Sequence, residues 1–196
     1  MRIPFISKNQ EIEISKERYD FIKEYRGGGF MLISGSVFWL LAFLLTGILN
    51  KKMISNFYIW GGFLTPIIGI ALFKVFKMSA NPSQYSTLVG FASSITVVSI
   101  PVLLLVKDLK PAALLPVLCI VNASHLLILC WVHLDYWYFI LVMFGVFLGS
   151  LFIFSIQESK VHYLALIWGV VSLAVGIAIQ LSTENPLKGY NLIIKK

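Results

Sequence analysis

The sequence predicts an all-α membrane protein: a polytopic bundle of about six transmembrane helices, preceded by an N-terminal amphipathic helix at the membrane interface. Three observations predict it. Of the 196 residues, 58% are hydrophobic and only 13% charged, where an average soluble domain carries about 25% charged residues. Apolar stretches near the ~20 residues that cross a hydrocarbon core recur through most of the chain, over residues 30–49, 54–77, 87–106, 112–132, 136–156 and 161–181. The connections between them are too short for a soluble domain, so residues 30–181 read as one bundle between an arm (1–29) and a short cytoplasmic tail (182–196).

The net charge of +7 does not point to nucleic acid. The lysines and arginines are scattered over tails and loops, where the positive-inside rule and anionic headgroups account for them, and membrane lipids are the expected partners. Eleven of the 16 fall in the arm, the 74–86 connection and the tail, all on one side of the bundle. Both termini are therefore expected in the cytoplasm, with the bundle in the plasma membrane. No short apolar core with a small-residue cleavage site precedes the first span, so no cleavable signal peptide is expected. Cys119 and Cys130 are eleven residues apart on one predicted helix, about 16 Å at 1.5 Å per residue and too far for a disulfide, which makes them core thiols.

In chain order, residues 1–10 read as a loose basic leader. Ile14, Phe21, Ile22 and Tyr25 then share one helical face, with Lys16, Glu17, Asp20, Lys23 and Glu24 around the rest. That pattern predicts a helix lying on the cytoplasmic leaflet, and residues 14–25 are alternatively a docking handle for a cytoplasmic protein. Gly27, Gly28 and Gly29 end it. Ser34, Gly35 and Ser36 in the first span and Gly61 and Gly62 in the second allow close helix approach, and Pro66 is expected to kink the second. Asn81 and Pro82 read as a turn and helix start. Gly145 and Gly149 have GxxxG spacing, and Ser172 and Gly176 the looser form. Both predict close helix contacts within the protomer or between protomers, and a homo-oligomer is expected to use the first pair. The tail from Ser182 reads as an exposed end.

The candidate site lies in the fourth span, which carries Cys119, Asn122, Ser124 and His125 at its middle. At 100° per residue Asn122 and His125 fall within roughly 60° of each other. Turned toward lipid they would lose their hydrogen bonds, so that face is expected to meet protein or a wet cavity. Ser93, Thr96 and Ser99 in the third span step three residues at a time into a band of hydroxyls. The two together predict a polar seam between helices 3 and 4, formed by Ser93, Thr96, Ser99, Asn122, Ser124 and His125, that binds a ligand or lines a pore. The alternative is that each hydroxyl bonds back to its own helix. Beyond it, Trp131, Tyr136, Trp137 and Tyr138 read as an interfacial aromatic belt that includes His133 and Asp135. Those two are a proton-handling pair in an alternative reading, and too few for a metal, with His162 expected at the opposite end.

No nucleotide loop, catalytic triad or pair of intramembrane carboxylates is present, so an enzyme is not expected. Neither is a cofactor, since haem on His125 has no second histidine at matching depth. Two classes remain: a binding or interaction protein, such as a sensor, immunity factor or accessory subunit, and a small oligomeric channel or transporter. With Gly28, Gly29, Ser34, Gly35, Trp39, Gly61, Gly62, Pro66, Asn81, Pro82, Asn122 and His125 in this order, residues 25–180 resemble a family of small six-helix bacterial membrane proteins of unknown function. That family usually places an aromatic after the fourth-helix histidine, where this chain has Leu126. The resemblance implies a bacterial inner-membrane setting and no particular chemistry.

Overall fold

The computed structural model describes residues 11–75, 83–155, 158–182 and 191–195. A short strand, β1 (Glu11–Ser15), leads into α1 (Lys16–Glu24), and α2 (Gly29–Thr46) is the first span. The second span is α3 (Lys51–Trp60) and α4 (Leu64–Val75), and the third is α5 (Gln84–Val98) and α6 (Ile100–Leu109). Then come α7 (Leu114–His133), α8 (Tyr136–Ser155), α9 (His162–Ser182) and β2 (Asn191–Lys195). Six stretches of these residues are long and apolar enough to cross a membrane, at Gly29–Thr46, Lys51–Leu72, Gln84–Leu109, Pro111–His133, Tyr136–Ser155 and His162–Leu181. They coincide with the six predicted spans. The leader 1–10 and the Asn81–Pro82 turn lie outside the described residues.

The second span breaks at Gly61–Phe63, a turn of 3₁₀ helix, and not at Pro66. Gly61 is pressed against α2, where an added Cβ would stand 2.8 Å from the Phe38 ring. Helix α4 restarts at Leu64, so Pro66 falls in its first turn, where a missing N–H breaks no helical bond. The third span is likewise divided at Ser99, with Pro101 in the first turn of α6.

Small residues pair the helices. In α2 and α9 a Cβ on Gly29 would stand 2.6 Å from the Gly176 carbonyl oxygen. In α7 and α8 a Cβ on Gly149 would stand 2.6 Å from Ile120 and 2.9 Å from the Pro116 carbonyl. Gly145 has Ala123 and the Trp168 ring each 2.6 Å from its would-be Cβ. Within the protomer, then, α7 lies over Gly145 and Gly149 and α9 over Gly145. Helix α4 packs on α2, where Ser34 Oγ donates to the Thr65 carbonyl at 2.8 Å, and α5 packs on α7. At the end of the bundle away from α1, Lys107 Nζ of α6 donates to Asn56 Oδ1 of α3 at 2.9 Å.

The arm is docked on the bundle. Ser15 caps α1 by accepting from the Arg18 N–H, and the apolar face predicted for lipid is covered by protein, with Phe21 2% and Ile22 0% exposed. Glu17 accepts from the Gln84 backbone N–H at 3.1 Å and side-chain amide at 2.8 Å, which satisfies a free donor at the start of α5. Arg18 donates to the Trp131 and Val132 carbonyls at the end of α7, with its guanidinium 4.3 Å from the Trp131 ring centroid. The tail is exposed at Ile193, Ile194 and Lys195, as expected, and is also paired: β2 runs parallel with β1, from Glu11 opposite Asn191 to Ser15 opposite Lys195, and Lys195 forms an ion pair with Glu13.

Gly145→Ala is expected to lower the thermal midpoint of the detergent-solubilised protein, with an overpacking cost of about 1–3 kcal/mol. Gly90→Ala, which meets nothing within 4 Å, serves as the control and leaves the midpoint in place. Equal midpoints for the two variants would show that the α7, α8 and α9 junction is not tightly packed.

Candidate functional site

Asn122 and His125 share the face of α7 that looks into the bundle. Both line a cavity of about 150 Å³ whose walls come from α2, the Gly61–Phe63 turn and α4, α5, α7 and α9. One bond crosses the predicted seam: Thr96 Oγ1 donates to Asn122 Oδ1 at 3.3 Å. The other hydroxyls turn back to their own helices, Ser93 to the Val89 carbonyl at 3.0 Å, Ser99 to Thr96 at 2.7 Å and Ser124 to Ile120 at 2.8 Å. Ser93 and Thr96 line the cavity with Asn122 and His125, and Ser99 and Ser124 do not. The six predicted residues thus divide into four that meet at one space and two that only satisfy themselves.

The opposite wall was not foreseen as part of a site. Ser172 on α9, legible only as a small residue, is 4% exposed and lines the cavity, as do Trp168, Trp39 and Phe38. Two polar atoms here are buried, Ser172 Oγ without a hydrogen bond and His125 Nδ1 with only the Val121 carbonyl of its own helix to turn to. Leaving such an atom unpaired costs on the order of 1–3 kcal/mol, and native interiors keep few of them. Among the described residues no Asp, Glu, Lys or Arg lines the space. The arrangement can donate and accept hydrogen bonds to an uncharged group.

A second polar cluster lies under α1 and revises the aromatic belt. Trp131, Tyr136 and Trp137 are 55%, 39% and 40% exposed, as belt residues should be, but His133, Asp135 and Tyr138 are buried. The His133 ring lies between Phe21 and Tyr138, at centroid distances of 5.5 and 5.6 Å. Tyr138 donates its hydroxyl to the Gly27 carbonyl at 2.8 Å. Gly28, at φ 76°, passes so close that a Cβ would stand 2.6 Å from both His133 Nε2 and the Tyr138 oxygen. Leu134 takes a left-handed turn (φ 54°) that lets Asp135 Oδ1 accept from the Trp137 N–H at 3.0 Å. Its other oxygen is buried without a partner, and burial pushes the carboxyl up to about 6. Among the described residues no three His, Cys, Asp or Glu converge as metal ligands. His162 stacks on Phe43 near the far end of α2, at 5.9 Å.

Fold and site together define a multi-pass membrane protein whose spans enclose a largely apolar cavity with a few uncharged polar groups in its wall. The chain belongs to the family of unknown function DUF7010, whose model matches residues 14–182, from the arm to the end of α9. No curated protein and no solved structure matches it.

Asp135 carries a pH dependence. Its carboxyl rises from an ordinary 3.8 to about 6 on folding, so the folded state holds the proton more tightly than the unfolded one. The favourable contribution is complete below the unfolded value and is lost as pH rises through the folded one, here between about pH 4 and pH 6. Asp135→Asn keeps an acceptor for the Trp137 N–H and carries no charge. It is expected to flatten this part of the profile and to raise the thermal midpoint at about pH 7 by several degrees. Superimposable melting profiles for variant and wild type would show that the buried carboxylate costs the fold nothing.

Proposed function

We propose that this protein is an intramembrane binding protein that holds a small uncharged molecule in the space between α2, α4, α5, α7 and α9. Its task on this reading is capture, as in a sensor, immunity factor or accessory subunit, and not catalysis. The observation that carries the proposal is that Ser172, whose buried Oγ makes no hydrogen bond, and Asn122 and His125, whose polar partners are few, line one cavity of about 150 Å³ from different helices. Polar side chains short of partners around a common space describe a seat for a polar group that belongs to something else. The channel reading draws less support, because Ser93, Ser99 and Ser124 turn their hydroxyls to their own helix carbonyls. On the lysine and arginine distribution we assign the α1 end to the cytoplasmic side of the plasma membrane. A cytoplasmic partner of the arm would meet Lys16, Asp20 and Lys23, which remain exposed on α1.

Native mass spectrometry of the protein extracted in mild detergent tests the proposal. Wild type is expected to carry a defined extra mass, and the double variant Asn122→Leu with His125→Leu to lose it while keeping its helicity. Wild type without an adduct, together with a flux across proteoliposomes that the same variant abolishes, would replace capture with conduction.

A further inference from the structure

The cavity reaches the surface in a particular place. Phe63 (44% exposed), Pro66, Ser93 and Val97 (47% exposed) line it and are exposed at the same time. All four belong to two neighbouring elements, the Gly61–Phe63 turn with α4 on one side and α5 on the other. These helices are consecutive in the chain, yet α4 packs on α2 and α5 on α7, and almost none of their residues meet each other. Contact between the two sides is made at Gly62, whose Cβ would stand 3.7 Å from the Thr96 methyl, and further along between α3 and α6. Ser93 and Val97 lie near the middle of the Gln84–Leu109 span. The residues around the opening are apolar and exposed, Ile67 and Ile70 on α4 and Phe91 on α5. At that depth, with that surround, an opening faces hydrocarbon and not water.

The inside of the cavity has a different chemistry from its mouth. With Oδ1 accepting from Thr96, Asn122 keeps its amide nitrogen as a donor, and Ser172 brings a hydroxyl without a partner. These two groups favour an acceptor, and the absence of charged residues from the walls, among the described residues, favours a neutral one. The aromatic rings of Phe38, Trp39 and Trp168 offer stacking faces. A space of about 150 Å³ is the size that in an engineered protein cavity holds one benzene, and too small for a whole lipid.

Resting on the binding reading above, we infer that the ligand is an uncharged lipid with a single carbonyl-bearing ring as its head and an aliphatic tail, admitted sideways from the bilayer between α4 and α5. The head sits among Asn122, Ser172 and His125, and the tail passes out between Pro66 and Ser93 into the hydrocarbon.

The probe is decyl-benzoquinone, a neutral carbonyl ring on a ten-carbon tail, added to the full-length protein in lipid nanodiscs. Tryptophan quenching followed by stopped flow reports association, since Trp39 and Trp168 face the cavity. Decane and decanoate are the comparisons for head and charge. Wild type is expected to bind the quinone at least about tenfold more tightly than either comparison, and Asn122→Leu to weaken it about tenfold. Val97→Phe, which narrows the mouth and leaves the seat alone, is expected to slow association about tenfold with little change in affinity. Ser93→Phe, where the tail passes out, repeats the association measurement alone from the next turn of α5, in case the first variant folds poorly. Unchanged association in both mouth variants would overturn lateral admission, and equal affinity for quinone and decane would overturn the ligand class. If the quinone fails but extracted wild type still carries a mass that Asn122→Leu removes, this inference falls and the binding reading stands. If no probe binds and no mass is retained, both fall.

Discussion

In hydrocarbon, helices gain little by hiding apolar side chains from one another, so what holds a bundle together is how closely their backbones approach. Here the approach is made by glycine. Gly29 and Gly176 bring α2 and α9 to backbone contact, and Gly145 and Gly149 do the same for α8 against α7. Once the helices are tied in these two pairs, the space between the pairs has to be filled by side chains, and Trp168 fills much of it from α9, reaching Gly145 with its ring edge. The cavity is what the two pairs and that one indole leave over. Its size follows from the pairs and its polarity from the few residues that face inward, so site and scaffold cannot be altered independently.

The arm serves the opposite need, supplying hydrogen bonds where helices end. Glu17 meets donors at the start of α5 and Arg18 meets acceptors at the end of α7. One nine-residue helix therefore completes two others of opposite direction, using one side chain of each charge, which is also the arrangement the helix dipoles favour. Tyr138 adds a third tie through the Gly27 carbonyl. At the far end, the bond from Lys107 to Asn56 joins α6 to α3. Between these bracing points α4 and α5 are left to follow different neighbours, and so they part.

Much of this was legible in the sequence, and the illegible parts share a cause. The six spans follow from hydropathy alone, because nothing else in the chain competes with it. Asn122 and His125 were found because their three-residue spacing is a local property, and Thr96 because it sits in a regular band. Ser172 carries no such mark, since a lone serine beside Gly176 reads as a packing residue until the pairing of α2 with α9 turns it inward. Pro66 reads differently for a related reason: a proline breaks a helix only where the helix has already begun, and α4 begins at Leu64, just past the close approach of Gly61 to Phe38. His133, Asp135 and Tyr138 have the composition of a membrane-interface belt, and only the docking of α1 over them makes them core. The β1 and β2 strands, five residues each, are too short for a pattern to announce and need a partner from the other end of the chain.

That last pairing has a consequence for how the molecule is made. Strand β1 leaves the ribosome well before its partner β2, with six spans between them. At synthesis rates of about 5–20 residues per second, the first strand waits roughly ten seconds or longer for its mate. The ribbon closes only once α9 has been inserted with the orientation that brings β2 to the side of β1. Ion pair and strand together thus form a seal that closes when the spans between them have been threaded correctly.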